Sequence, residues 1–208
     1  MKRLLKPVVH FGSLIPLALL INDWMSDSLT ANPIQYLTLK TGKTALILIT
    51  MSLSVSPIIF ITGKNYLSPL RKLLGLYSAL YAALHFSIFV GLDYFFDWEL
   101  ISGVIIEKPY VLAGFSAFLI LSVMAITSTK GWKRRLKKKW KPLHRFVYAA
   151  GFLVVLHYVW LVKSDIREPL AYGFVIGLLL TLRIPRIRVL VSAWKEKRVS
   201  LQESGSQP

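Results

Sequence analysis

Residues 143–163 read LHRFVYAAGFLVVLHYVWLVK. Beyond its first basic residues the stretch is almost wholly apolar, and it has the length, roughly 17 to 25 residues, that one helix needs to cross a bilayer. An ionisable side chain inside such a run is costly and marks a functional position. Here that residue is His157. A second stretch of the same kind, RKLLGLYSALYAALH at 71–85, arrives at His85.

Outward from these two, apolar runs at about 7–22, 43–62, 70–91, 110–128, 143–162 and 169–186 predict six transmembrane helices. A chain that is 54% apolar and only 17% charged, with a positive mean hydropathy, fits a polytopic membrane protein and not a soluble globule. The first run leads into Asn22, Asp23 and Trp24 with no small-residue cleavage site, so it reads as a retained helix and not as a signal peptide. An amino terminus in the cytoplasm assigns 21 of the 26 Lys and Arg residues to the inside and 5 to the outside, as the positive-inside rule requires. The outer loops then hold 8 of the 10 acids, among them Asp23, Asp27, Asp93, Asp97 and Glu99. The expected fold class is all-α: a membrane bundle of six transmembrane helices over residues 1–191, both termini cytoplasmic, followed by a flexible cytoplasmic tail at 192–208.

The net charge of +16 is thus an orientation signal. A nucleic-acid binder would line an otherwise polar domain with this charge, whereas here it punctuates lipid-length helices. The densest basic segment, KGWKRRLKKKWK at 130–141, suits attraction to anionic lipids of the inner leaflet; a docking surface for an acidic soluble electron donor is the alternative. Trp132 and Trp140 fit the interface either way. The absence of cysteine excludes disulfides, iron–sulfur clusters, thiolate-ligated heme and redox-active thiol pairs. No P-loop and no GxGxxG after a strand is present, so a nicotinamide domain is not expected.

His85 lies 15 residues beyond Leu70, about 22 Å along a helix rising 1.5 Å per residue, and His157 lies 14 beyond Leu143, about 21 Å. Both helices run outward, so the two imidazoles reach one level in the outer half of the membrane. Neutral imidazole is a good axial ligand for heme iron, and the pair predicts one heme b as an electron conduit. Ala82, Ala83, Ala149, Ala150 and Gly151 permit close helix packing beside a flat macrocycle. The alternative is that each histidine merely hydrogen-bonds across a helix interface, with Tyr81 and Tyr158 either orienting the ligands or packing. A proton or metal transporter is the rival class, but isolated imidazoles without a carboxylate cluster serve it poorly.

His144 lies 13 residues before His157, about 20 Å lower, and on a straight helix roughly 140° around from it. It is a candidate for an inner site holding a second heme, FMN or a quinol head group; otherwise it is a basic interfacial residue. His10 shares that inner level, either as a further ligand or in a hydrogen bond near Ser13. Arg71 and Lys72 can pair with propionates or a flavin phosphate, and equally serve as topology charges.

The stretches HFGSLIP (10–16), RKLLGLYSALYAALH (71–85), EKPYVLAGFSA (107–117), TSTKGW (127–132) and the 143–163 segment, in that order, resemble the ferric-reductase-like transmembrane family. Within it they are most similar to the heme-binding membrane subunits of bacterial methionine sulfoxide reductase systems, over about residues 8–188. The resemblance implies a b-type cytochrome of the bacterial inner membrane, with FMN as a further cofactor. Such a subunit takes electrons from the quinone pool or a cytosolic flavin reductase to a periplasmic molybdopterin methionine sulfoxide reductase, and has no sulfoxide-reducing site of its own. His85 and His157 match the family's histidines in the third and fifth helices, His144 the additional one before the latter, and His10 one common in the first helix. The third helix has one histidine where NADPH oxidases and ferric reductases have two, which argues against a standard stack of two bis-histidine hemes.

Overall fold

The computed structural model describes residues 4–162 and 164–193; the expected tail lies outside them from residue 194 on. The described secondary structure is helical throughout: α1 (Leu5–Met25), α2 (Pro33–Thr62), α3 (Ser68–Ile88), α4 (Trp98–Glu107), α5 (Pro109–Ile126), α6 (Lys130–Leu136), α7 (Trp140–His144), α8 (Val147–Leu161) and α9 (Arg167–Thr181). The bundle is a membrane bundle by the logic of its surface. Phe11, Ile15 and Leu19 on α1, Phe152 on α8 and Phe174 on α9 point outward, while Leu46, Ile49, Leu53, Ala79, Leu121, Ala150 and Ile176 form a shared core.

The span count differs from the expectation. Four helices, α1, α2, the α3 segment and α5, are long and apolar enough to cross a membrane, and a fifth results if Lys130–His144 and Val147–Leu161 are one bent span. The sixth expected span is α9, only 15 residues or about 22 Å long. The short α4 was not expected at all. Asp97 starts it by accepting from the N–H groups of Glu99 and Leu100, both at 3.1 Å, which satisfies donors that a first helical turn leaves open.

Helix α2 begins ten residues before its predicted start at 43. The polar run around Lys40 hid its first turns, but the threonines there are not helix breakers: Thr38, Thr41 and Thr44 donate to the carbonyls of Ile34, Leu37 and Lys40, one turn back. Asn32 caps the helix by accepting from Gln35 N–H, with Pro33 next to it. Gly63, at φ +71°, ends it in the left-handed conformation that glycine adopts without strain.

The predicted straight helix at 143–162 is broken. Arg145 and Phe146 donate to Pro142 and Leu143, i to i−3 bonds that tighten the chain, and the segments on either side bend by 44°. The straight-helix offset between His144 and His157 therefore does not apply.

Helices α2 and α3 form a hairpin pinned by Ser78, whose hydroxyl donates to the Ala45 carbonyl at 2.9 Å, and by Ser52, which donates to Arg71 O at 2.8 Å. Helix α5 packs on α8 in the same manner, and α3 meets α5 between the pairs. Helix α1 is held through Tyr81, which is fully buried. Its hydroxyl donates to Ser13 O at 2.7 Å and accepts from Leu17 N–H at 3.0 Å, standing between the two groups that an unbroken helix pairs directly. Pro16 lies inside this turn, and side-chain insertion there fits its inability to donate a backbone bond.

Candidate functional site

His85 on α3 and His157 on α8 come together, with ring centroids 6.2 Å apart and planes at 86°. Each is anchored by the same device. Nδ1 of His85 lies 2.9 Å from the carbonyl of Thr38, and Nδ1 of His157 lies 2.6 Å from that of Tyr110. A carbonyl only accepts, so both protons reside on Nδ1 and each Nε2 keeps an open lone pair. A backbone partner on the far nitrogen fixes the tautomer and orientation of a metal-ligating histidine.

The spacing fits a shared iron. With metal–imidazole bonds of about 2 Å and roughly 1 Å more from each Nε2 to its ring centre, two imidazoles on opposite sides of one metal have centroids about 6 Å apart. Among the described residues no group of three or more His, Asp or Glu is placed to hold a bare metal ion. Two lone axial nitrogens suit a metal that brings its remaining ligands with it, as heme iron does.

Tyr81, considered as a partner for His85, has its hydroxyl bonded to α1 instead. Tyr158 donates to Glu168 Oε2 at 3.0 Å, and Lys43 pairs with the other oxygen of that carboxylate at 2.6 Å. These contacts tie α2, α8 and α9 together close to the histidine pair.

At the other end of the bundle lies a cavity of about 450 Å³. Arg71, Lys72, Lys141, Arg145 and Arg183 line it together with His144, Trp140 and Tyr148, and among the described residues no carboxylate is in the lining. Lys72 donates to Ser128 O at 2.6 Å, and Arg71 to the hydroxyls of Ser56 and Ser68. Nε2 of His144 lies 3.1 Å from Thr127 Oγ1, and its ring stacks on Trp140 at 4.0 Å. Arg183 donates to Leu53 O and lies over the Tyr148 ring, yet its buried Nε–H has no protein partner. Five cationic side chains around one cavity, with no carboxylate among the described lining residues, favour an anionic ligand. The sequence pointed to His144 and Arg71; Arg183, beyond the last expected histidine, gave no local signal.

His10 is elsewhere. Its Nδ1 lies 2.7 Å from the Tyr77 hydroxyl, and it does not line the inner cavity.

The family of the ferric reductase like transmembrane component matches residues 40–161, which include both histidines and Tyr110 and begin two residues after Thr38. The chain is 42% identical over 187 residues to the protein-methionine-sulfoxide reductase heme-binding subunit MsrQ of Xanthomonas campestris pv. campestris, covering 86% of this chain and 85% of that protein. The chain belongs to the MsrQ family. Two further MsrQ proteins are similar at comparable breadth: that of Xanthomonas oryzae pv. oryzae, 40% identical over 92% of this chain and 86% of its own length, and that of Herminiimonas arsenicoxydans, 38% identical over 87% and 84%. No solved structure matches the chain.

Proposed function

We propose that the chain is a membrane b-type cytochrome with no sulfoxide-reducing site of its own. It passes electrons from quinol or a cytosolic flavin reductase to a periplasmic molybdopterin methionine sulfoxide reductase that repairs oxidised envelope proteins. The observation that carries this reading is the His85–His157 pair, with both Nδ1–H groups bonded to backbone carbonyls and both Nε2 atoms left to ligate one iron. Heme, when bound, supplies a reversible one-electron carrier. The chain's own work is to hold two neutral imidazoles at fixed tautomer and spacing inside a shell of apolar helices, and no general acid or base is required for that transfer.

The inner cavity suits the entry side. Its cationic lining, Arg71, Lys72, Lys141, Arg145 and Arg183, favours an anionic or carbonyl-bearing ligand, of which FMN and a quinol head group are the two readings. Where the donor is a quinol, its protons need an acceptor, and His144 stands at the cavity wall. A second heme is less well served, because the third-helix position 13 residues before His85 is Lys72, whose ammonium is bonded to Ser128 O. Ile49 in the lining is seven residues from Gly42 beside His85, about 10 Å along α2. Six crossings with both termini in the cytoplasm fit the 21-to-5 division of basic residues, with α9 as a short sixth span that membrane thinning accommodates. The setting is the bacterial inner membrane.

The test is to place the purified protein in lipid, reduce its heme with quinol, and add the oxidised soluble partner with methionine sulfoxide. Heme reoxidation with formation of methionine is expected. A heme that stays reduced beside a partner proven active with an artificial donor would reject the path, and a purified protein without any heme band would return the transporter class.

A further inference from the structure

Thr38 and Tyr110, Gly42 and Gly114, and His85 and His157 are each 72 residues apart. So are the first residues of α3 and α7, Ser68 and Trp140. Each helix pair thus repeats one arrangement: a carbonyl, a glycine one turn later on the same helix, and a histidine on the facing helix. The two glycines are where the histidines come closest. A methyl group at Gly114 would lie 2.6 Å from His157 Nδ1 and 2.9 Å from its Cε1, and one at Gly42 would lie 3.0 Å and 3.1 Å from the same atoms of His85. Real side chains essentially never approach that closely at the first site, and the second is tighter than nearly all. Glycine inside a helix is unfavourable relative to alanine, so its presence at both equivalent positions marks a requirement of the site.

We infer that Gly42 and Gly114 are positioning residues for the heme ligands: their bare backbones let each imidazole lie against the facing helix, so that Nδ1–H reaches its carbonyl and the two ring planes stay near perpendicular. The inference rests on the reading of His85 and His157 as axial ligands of one heme. Through the hydrogen bond each glycine acts on the iron, since a carbonyl acceptor makes the imidazole a stronger donor and favours the oxidised metal. Pushing a ring off its carbonyl weakens that donation, and the midpoint potential rises.

The experiment compares Gly42→Ala, Gly114→Ala and Gly173→Ala in the full chain, purified with heme. The last is a control of comparable tightness: a methyl there would lie 3.2 Å from Val155 Cγ1, with no histidine near. Low-spin EPR and a potentiometric titration are the readouts. Both histidine-facing variants should shift the EPR g values and raise the midpoint potential, Gly114→Ala more than Gly42→Ala, while Gly173→Ala leaves spectrum and potential unchanged. If Gly114→Ala folds but retains no heme, the looser Gly42→Ala decides. Unchanged g values and potential in Gly42→Ala, or shifts no larger than in Gly173→Ala, would overturn the assignment. A wild-type protein without heme would instead overturn the functional reading itself.

Discussion

His85 and His157 stand with their ring planes at 86° and their centroids 6.2 Å apart, each turned by a main-chain carbonyl and not by its neighbour. As the proposed ligands of one heme, imidazoles so crossed would leave the two iron orbitals that accept ligand electron density nearly equal in energy. The oxidised protein should therefore give a strongly anisotropic low-spin EPR signal with a large maximum g value. A moderately rhombic signal, as parallel imidazoles produce, would contradict the observed ring orientation.

Under the proposed ligation, removal of either imidazole should be equally damaging, because each supplies one of the two nitrogens that would hold the iron. His85→Ala and His157→Ala are each expected to lose most of the heme or to leave a five-coordinate, high-spin iron. Reduced-minus-oxidised absorption per mole of protein measures this. Full low-spin heme in either variant would mean that another residue ligates.

Arg183→Met removes one of the cationic side chains that line the inner cavity while keeping side-chain bulk. Charge-assisted hydrogen bonds contribute about 1.5–3 kcal/mol, or roughly a tenfold to hundredfold change in affinity. Apparent affinity for the physiological donor should fall by that order, whereas dithionite should reduce the heme as before. Donor kinetics identical to wild type would remove Arg183 from the entry site.

Tyr81→Phe tests the hold on α1. Two hydrogen bonds to the backbone of Ser13 and Leu17 are lost in a fully buried place, at a cost of about 1–3 kcal/mol. Thermal unfolding should begin several degrees lower with the heme spectrum unchanged. A shifted heme spectrum at unchanged stability would assign Tyr81 to the ligand and not to α1.

Topology can be read with reporter fusions after residue 162 and after residue 193, on either side of α9. The first should report the outer compartment and the second the cytoplasm. The same side for both would leave α9 lying against the bundle without crossing.

The fold class and the central pair were legible because both rest on strong local signals: apolar runs of membrane length and rare imidazoles inside them. Helix limits were less so. The start of α2 was hidden by threonines whose hydroxyls turn back onto their own helix, and the break before α8 lies inside one continuous predicted run that begins at Leu143. Depth along a helix needs only the rise per residue, so the matched levels of His85 and His157 could be foreseen; what each ring touches depends on a partner helix 47 residues earlier. Gly42 and Gly114 carried a readable signal, the shared 72-residue offset, which emerges only when the chain is compared with itself. Arg183 carried none, since its relation to Leu53 and Tyr148 is set by how α9 ends beside α2 and α8.

The offset of 72 residues also sets an order of events during synthesis. His85 leaves the ribosome well before His157, and at about 5–20 residues per second the delay is roughly 4 to 14 s. Over that interval the first hairpin sits in the membrane with half a binding site. With His85 and His157 as the proposed ligands, heme capture would be a late step in biogenesis, one that awaits the second hairpin and then fastens the two halves of the nascent protein to each other.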